Sequence, residues 1–143
     1  MTSAEIAEPA PNAALYIDAS SLLVLILGQT GHADVQARVV SWEKAGGNVV
    51  SSRLLWLEVR RVVIRERLAG NDFSPVAEDS LSRIEQVPVT DEVWERAARI
   101  PHHVRALDAI HLTTCDLVGA TFLTAGLDGT ICTVAASLGI PLI

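Results

Sequence analysis

The sequence predicts an α/β domain in which helices cover both faces of a mainly parallel sheet. Three observations lead there. Short apolar runs alternate with one or two segments of helix length along the whole chain. The runs themselves, such as ALYID (14–18), lack clean polar–apolar alternation, as expected of strands buried on both sides. Finally, 143 residues with 50% hydrophobic content suit one domain, large enough to bury roughly 70% of its extended surface without disulfide staples. The expected architecture is a three-layer α/β/α sandwich around a sheet of about five strands, spanning residues 14–143. Residues 1–13, rich in Ala, Pro and Glu and without periodicity, are expected to form a mobile tail.

The elements follow in order. ALYID (14–18) is an apolar strand ending on a carboxylate. SSLLVLILG (20–28) starts a helix with Ser20 or Ser21 as cap and stops it at Gly28. Asp34 to Lys44 is helical and closed by Gly46-Gly47, and NVVSS (48–52) is the second strand. Leu54 to Leu68 is a long helix with Leu54, Leu57, Val62 and Ile64 as apolar positions; Gly70-Asn71 ends it. Pro75 to Glu85 is a helix with proline near its first turn, followed by the short strand VPV (87–89). Thr90 caps a helix reaching Ile100, with Asp91 and Glu92 favourably placed in its first turn. Leu107 to Val118 is a helix ended by Gly119, and ATFLT (120–124) is a strand. Asp128 opens a helix ending near Leu138-Gly139, and IPLI (140–143) is a terminal strand.

Composition excludes several classes. Only 20% of residues are charged and mean hydropathy is +0.35, which is incompatible with wholesale disorder. The strongest apolar stretch, Leu22 to Leu27, is far short of the roughly 20 residues that cross a bilayer. Glu5 and Glu8 stand where a secretory signal would carry positive charge, so a cytoplasmic location without membrane attachment is expected. Cys115 and Cys132 lie in apolar surroundings without CxxC spacing and read as free thiols. The net charge of −6 repels nucleic acid globally, yet Arg53, Arg60, Arg61, Arg65 and Arg67 concentrate five of the eleven basic residues in one stretch.

Four acids stand out. Asp18 ends the first strand, where open α/β sheets build their sites; on its own it could equally cap the next helix. Asp108 opens a helix within RALDAIHL, in surroundings apolar enough to turn the acid toward a cleft. Asp128 follows the strand TFLT by a short turn, and an N-cap is its plainer role. Glu58 lies mid-helix in LLWLEVRRVV and is placed to pair with Arg61 at i+3. Together, four carboxylates at one sheet edge would repel one another unless a cation intervened. Hard oxygen donors suit Mg²⁺ or Mn²⁺, whose chemistry includes phosphodiester hydrolysis. His111, in the apolar DAIHL segment, reads as a packed core histidine. No GxSxG elbow or glycine-rich phosphate loop is present.

At these residues the sequence resembles the PIN-domain ribonucleases, and more narrowly the VapC-type toxins of bacterial toxin–antitoxin pairs. YIDASSLL (16–23) matches an opening motif of an acid followed two residues later by a hydroxyl, Ser20. SSRLLWLEVRRVVIR (51–65) matches a Glu in an apolar helix followed by arginines, and RALDAIHL (105–112) is the most specific match. FLTAGLDGTICTVAASLGIPLI (122–143) matches the last motif with a two-residue insertion: Asp128 stands four residues after Thr124 rather than two.

The resemblance implies a metal-dependent endoribonuclease with Asp18, Glu58, Asp108 and Asp128 as its acidic cluster. It makes Asp18 and Asp108 the direct Mg²⁺ (or Mn²⁺) ligands, Ser20 and Thr124 supporting hydroxyls, and Arg105 a contact to RNA phosphate. It further implies an RNA substrate, transfer RNA foremost, a small VapB-type antitoxin that reaches the acidic cleft with a basic side chain, and a homodimer. Two other functions compete. A phospho-accepting receiver domain would need a lysine late in the sheet, whereas Lys44, the only lysine, lies early. A catalytically silent PIN-like binding module would have no need of the four acids.

Overall fold

The computed structural model describes residues 13–125 and 129–143. The expected tail therefore lies outside the described residues except for Ala13, whose carbonyl accepts hydrogen bonds from the Asn48 amide (3.0 Å) and the Trp42 indole (3.0 Å). The chain runs β1 (Ala14–Tyr16), α1 (Ala19–Leu27), α2 (His32–Lys44), β2 (Asn48–Ser52), α3 (Leu54–Leu68), α4 (Ser74–Ser82), β3 (Glu85–Val87), α5 (Asp91–Ala97), α6 (Ala106–Val118), β4 (Thr121–Phe122) and α7 (Gly129–Ser137). The strands form one sheet in the order β3-β2-β1-β4, with every pair parallel.

Strand alternation divides the core in two. Leu15, Ile17, Val49 and Leu123 pack on one face with residues of α1, α2, α3 and α4, among them Leu22, Ile26, Leu55, Val59 and Leu81. Tyr16, Val50 and Phe122 pack on the other with Leu112 and Cys115 of α6 and Ile131, Val134 and Ala135 of α7. Each fully buried aliphatic or aromatic side chain contributes about 1.5–3 kcal/mol. The expected α/β/α layering is thus realised, with seven helices flanking four strands among the described residues.

Several element bounds differ from expectation, three of them for an evident local reason. The first helix is capped by Asp18, whose Oδ1 accepts from the Ser21 amide at 3.1 Å, rather than by Ser20 or Ser21. The third strand is Glu85–Val87 rather than 87–89, because Pro88 has no amide with which to continue the ladder; the preceding helix accordingly ends at Ser82. The fifth strand reduces to a single parallel bridge between Leu142 and Phe122. Pro141 interrupts that ladder too, although its carbonyl still accepts from the Phe122 amide at 2.8 Å. Elsewhere α3 keeps its expected bounds, Thr90 caps α5 through the Val93 amide, and Gly28 and Gly119 end α1 and α6 in the left-handed conformation.

Two predictions arise from this packing. A Cβ on Gly47 would collide with the Trp42 indole and stand 2.9 Å from the Ala13 carbonyl. Gly47→Ala should therefore displace the Trp42–Ala13 bond and cost about 1–3 kcal/mol in denaturant unfolding. A change within error would show that Trp42 yields freely. Burial, with Asp116 adding to it, pushes the Cys115 thiol up to about 12. At pH 8 only about one molecule in 10⁴ carries the thiolate, so Cys115 should resist alkylation until the protein unfolds; rapid labelling of the native protein would contradict the burial.

Candidate active site

The topology brings three of the four expected acids to one cleft. A helix following a parallel strand starts at the C-terminal edge of the sheet, and one that precedes a strand also begins there, since it runs antiparallel. Asp18, as N-cap of α1, therefore sits at the end of β1. Glu58 lies in the second turn of α3, just after β2. Asp108 occupies the third position of α6, which leads back into β4. The strand order reverses between β1 and β4, which is where open sheets leave a crevice. A cleft of about 420 Å³ occupies this position and is lined by Asp18, Ser20, Glu58, Arg105 and Asp108, together with His111 and apolar neighbours.

Each acid is held differently. Asp18 is 2% exposed, and its pKa is raised first by burial and then by the neighbouring Asp108 and Glu58; the Ser21 amide opposes the rise. Asp108 pairs with Arg105 at 3.0 Å, an i,i+3 contact whose arginine is 79% exposed. Glu58 does not pair with Arg61, as its spacing suggested. Its Oε1 instead lies 2.6 Å from His111 Nε2. The His111 ring continues to Tyr16, whose hydroxyl is 2.6 Å from Nδ1 and accepts from the Ser52 amide at 3.1 Å. Burial pushes the Tyr16 phenol above its ordinary range, so it stays protonated.

His111 is as buried as expected, but it joins the sheet to the cleft rather than only filling space. Sequence reasoning missed this relay. Tyr16 and His111 are 95 residues apart, and nothing in either segment points to the other. The only local signal is a polar ring inside the apolar run AIHL.

Ser20 is exposed on the cleft, as its expected role needs. The Thr124 hydroxyl is spent on the Ile143 carbonyl at 2.8 Å, and Thr124 is not among the described residues lining the cleft. Asp128 lies outside the described residues. The Ser21 hydroxyl does bond the Ala125 carbonyl at 2.6 Å, which ties the chain leaving β4 to the start of α1.

The donor set can be weighed against the divalent cation its chemistry suggests. Among the described residues no three His, Cys, Asp or Glu side chains stand close enough to hold one ion between them. The described residues alone therefore build no all-protein cage. Mg²⁺ does not need one, because it keeps several waters and is commonly held through one or two carboxylates. Asp18 and Asp108, both oxygen donors on one cleft, fit that requirement. No helix among the described residues is long and apolar enough to cross a membrane.

Comparison with known proteins agrees with this arrangement. No protein with a curated description matches the chain by sequence. A chain of a toxin–antitoxin complex from Klebsiella pneumoniae superposes with a TM-score of 0.60 at 20% identity, covering 78% of this chain and 85% of that one. A chain of the VapBC2 complex of Rickettsia felis, crystallised on a DNA fragment from its promoter, gives 0.61 at 9% identity, with 91% and 97% covered. A Pyrobaculum aerophilum protein gives 0.54 at 19% identity, with 91% and 98% covered. At such identities the likeness is one of fold. The family model described as PIN domain matches residues 15–143. A parallel four-stranded sheet with acids gathered at its switch point thus goes with a sequence match over nearly the whole chain, which belongs to the PIN-domain family.

Proposed function

We propose that this protein is a metal-dependent endoribonuclease and the toxin of a VapBC-type toxin–antitoxin pair, acting in the cytoplasm. The observation that carries the reading is the meeting of Asp18, Glu58 and Asp108, from three separate helices, on one cleft of about 420 Å³. A buried carboxylate with two more on the same cleft costs stability, and a protein keeps such an arrangement where it serves a cation or a reaction. Crystallised neighbours in toxin–antitoxin complexes support the toxin assignment.

Asp18 and Asp108 would hold Mg²⁺ or Mn²⁺. The ion, when bound, supplies Lewis acidity toward a phosphoryl oxygen and lowers the pKa of water. Glu58 orients the attacking water through its carboxylate and takes its proton. Ser20 offers a hydroxyl to water at the cleft. Arg105, largely exposed beside Asp108, meets the RNA phosphate and steadies it for in-line attack. Asp128 is assigned to the same cluster from its place after β4. Hydrolysis adds water across the P–O bond and needs no side-chain nucleophile.

The favoured substrate is transfer RNA. The cleft, with three described acids against one arginine, would receive a basic side chain of a small VapB-type antitoxin. A homodimer is the expected assembly. The test incubates the purified protein with total RNA in Mg²⁺, in Mn²⁺ and in EDTA, and maps the new RNA ends. Discrete cuts only with metal are expected. Intact RNA in every condition, from a folded protein, would overturn the nuclease reading in favour of a binding module. Growth arrest on expression, relieved by the neighbouring small gene's product, tests the toxin assignment separately.

A further inference from the structure

Two short contacts meet on the His111 ring, and each accommodates one proton. In the role proposed for Glu58 its carboxylate is the acceptor, and the 2.6 Å separation from Nε2 then places the proton of that contact on the nitrogen. The 2.6 Å separation between Nδ1 and the Tyr16 hydroxyl also holds one proton, and Tyr16 carries its own. The tyrosine oxygen already accepts from the Ser52 amide. A proton on Nδ1 would turn a second donor on that oxygen and drive the phenolic proton out of the contact. The Ser51 hydroxyl also lies beside the phenol, but it donates to the Ile17 carbonyl at 2.6 Å. The arrangement that keeps both ring contacts runs one way: the Ser52 amide donates to Tyr16, Tyr16 donates to Nδ1, and Nε2–H donates to Glu58.

We infer that Tyr16 and His111 are positioning residues, which fix a neutral Nε2–H imidazole so that it holds Glu58 Oε1 and leaves Oε2 for water in the cleft. The inference rests on Glu58 acting as proposed above, and it adds two residues that do not touch the substrate. It also accounts for a polar ring 1% exposed in an otherwise apolar helix segment. The ring is packed edge-on to Tyr16, with centroids 5.7 Å apart, so it has little freedom to turn away. Without it, Glu58 would swing among rotamers at the mouth of α3, and the water it orients would lose its direction.

The test separates positioning from bulk stability. In His111→Gln the amide nitrogen reaches to about where Nε2 lies, so the donor to Glu58 is kept. In His111→Asn it reaches only to about Nδ1, and the donor is lost. For RNA cleavage, kcat should fall by about 10²-fold in the asparagine variant, the upper end for groups that orient a reacting residue. The glutamine variant should recover most of that loss, with KM for RNA changed little in either. Equal losses in the two variants, tracking their melting temperatures, would reduce the histidine to a structural role and overturn the inference.

A second readout needs no activity. Nitrogen-15 shifts of His111 in the metal-free protein should report the neutral Nε2–H tautomer. An Nδ1–H or doubly protonated ring in the wild type would overturn the inference even if RNA is cut. Conversely, a protein that cuts no RNA would sink the nuclease reading, while the tautomer result would still decide the histidine's arrangement.

Discussion

Asp18→Asn is expected to abolish metal-stimulated RNA cleavage and, in the metal-free protein, to raise the melting temperature. The two effects share one cause. Asp18 is a buried carboxylate whose pKa is raised chiefly by desolvation and further by Asp108 and Glu58. The folded state therefore binds the proton more tightly than the unfolded chain does, in which the pKa is about 3.9. Stability from this group is greatest below that value. It declines as pH rises through the folded pKa, and the full penalty applies above it. Asparagine carries no charge and escapes the penalty, so the variant's advantage should be absent in acid and grow toward neutral pH. The helix cap is not lost, because Asn is as good an N-cap as Asp and keeps an oxygen for the Ser21 amide.

Activity moves the other way. Removing one preorganised charge from a reacting centre costs about 10²–10³-fold, and a direct cation ligand should cost at least that. Mg²⁺ should stabilise the wild type by about 2.7 kcal/mol at one hundred times its Kd, and the variant much less. Thermal melts from pH 4 to 8 with EDTA and with Mg²⁺, beside a cleavage assay, read all three effects. Full cleavage by the folded variant, or a melting temperature below wild type at neutral pH, would contradict the assignment.

Asp108→Asn should lose as much activity with the opposite sign in stability. Its carboxylate is 18% exposed and bonded to an arginine that is 79% exposed, a pair worth at most about 1 kcal/mol. It also sits in the first turn of α6, where a negative charge gains about 0.3–1 kcal/mol from the helix dipole. Relief of its repulsion on Asp18 offsets part of this loss, so the variant should be slightly less stable at neutral pH, by at most about 1 kcal/mol, with cleavage down by about 10²–10³-fold. The two aspartates would then share a function while differing in what they cost the fold. A variant that is inactive because it is unfolded would show in the same melts and would remove Asp108 from the argument.

Local rules account for much of what the sequence made legible. The ends of α3, the Thr90 cap and the glycine stops after α1 and α6 depend on residues within a turn of one another, and the chain reads them directly. Two strand boundaries moved at prolines: Pro88 and Pro141 lack the amide that would extend their ladders, which hydropathy alone would have continued. Of the candidate site, Asp18, Glu58 and Asp108 could be placed at one edge from strand–helix order, and the structure sets all three on the same cleft. What local reasoning missed was partnership. Glu58 had Arg61 at helical spacing, but the buried His111 took it instead, a choice made by bringing α3 and α6 to the same edge of the sheet rather than by spacing along α3. Thr124 likewise found the Ile143 carbonyl once the C-terminus lay along β4.

By itself, then, the sequence determined which segments become helix and strand and which end of the sheet collects the acids. Both follow from hydrophobic period, caps and the direction in which a parallel crossover must run. Only the tertiary structure decided that Asp18 is the buried, costly member of the group and that Glu58 hangs from a tyrosine–histidine relay. Desolvation and hydrogen-bond partnership depend on what arrives from distant parts of the chain, and no local pattern encodes that.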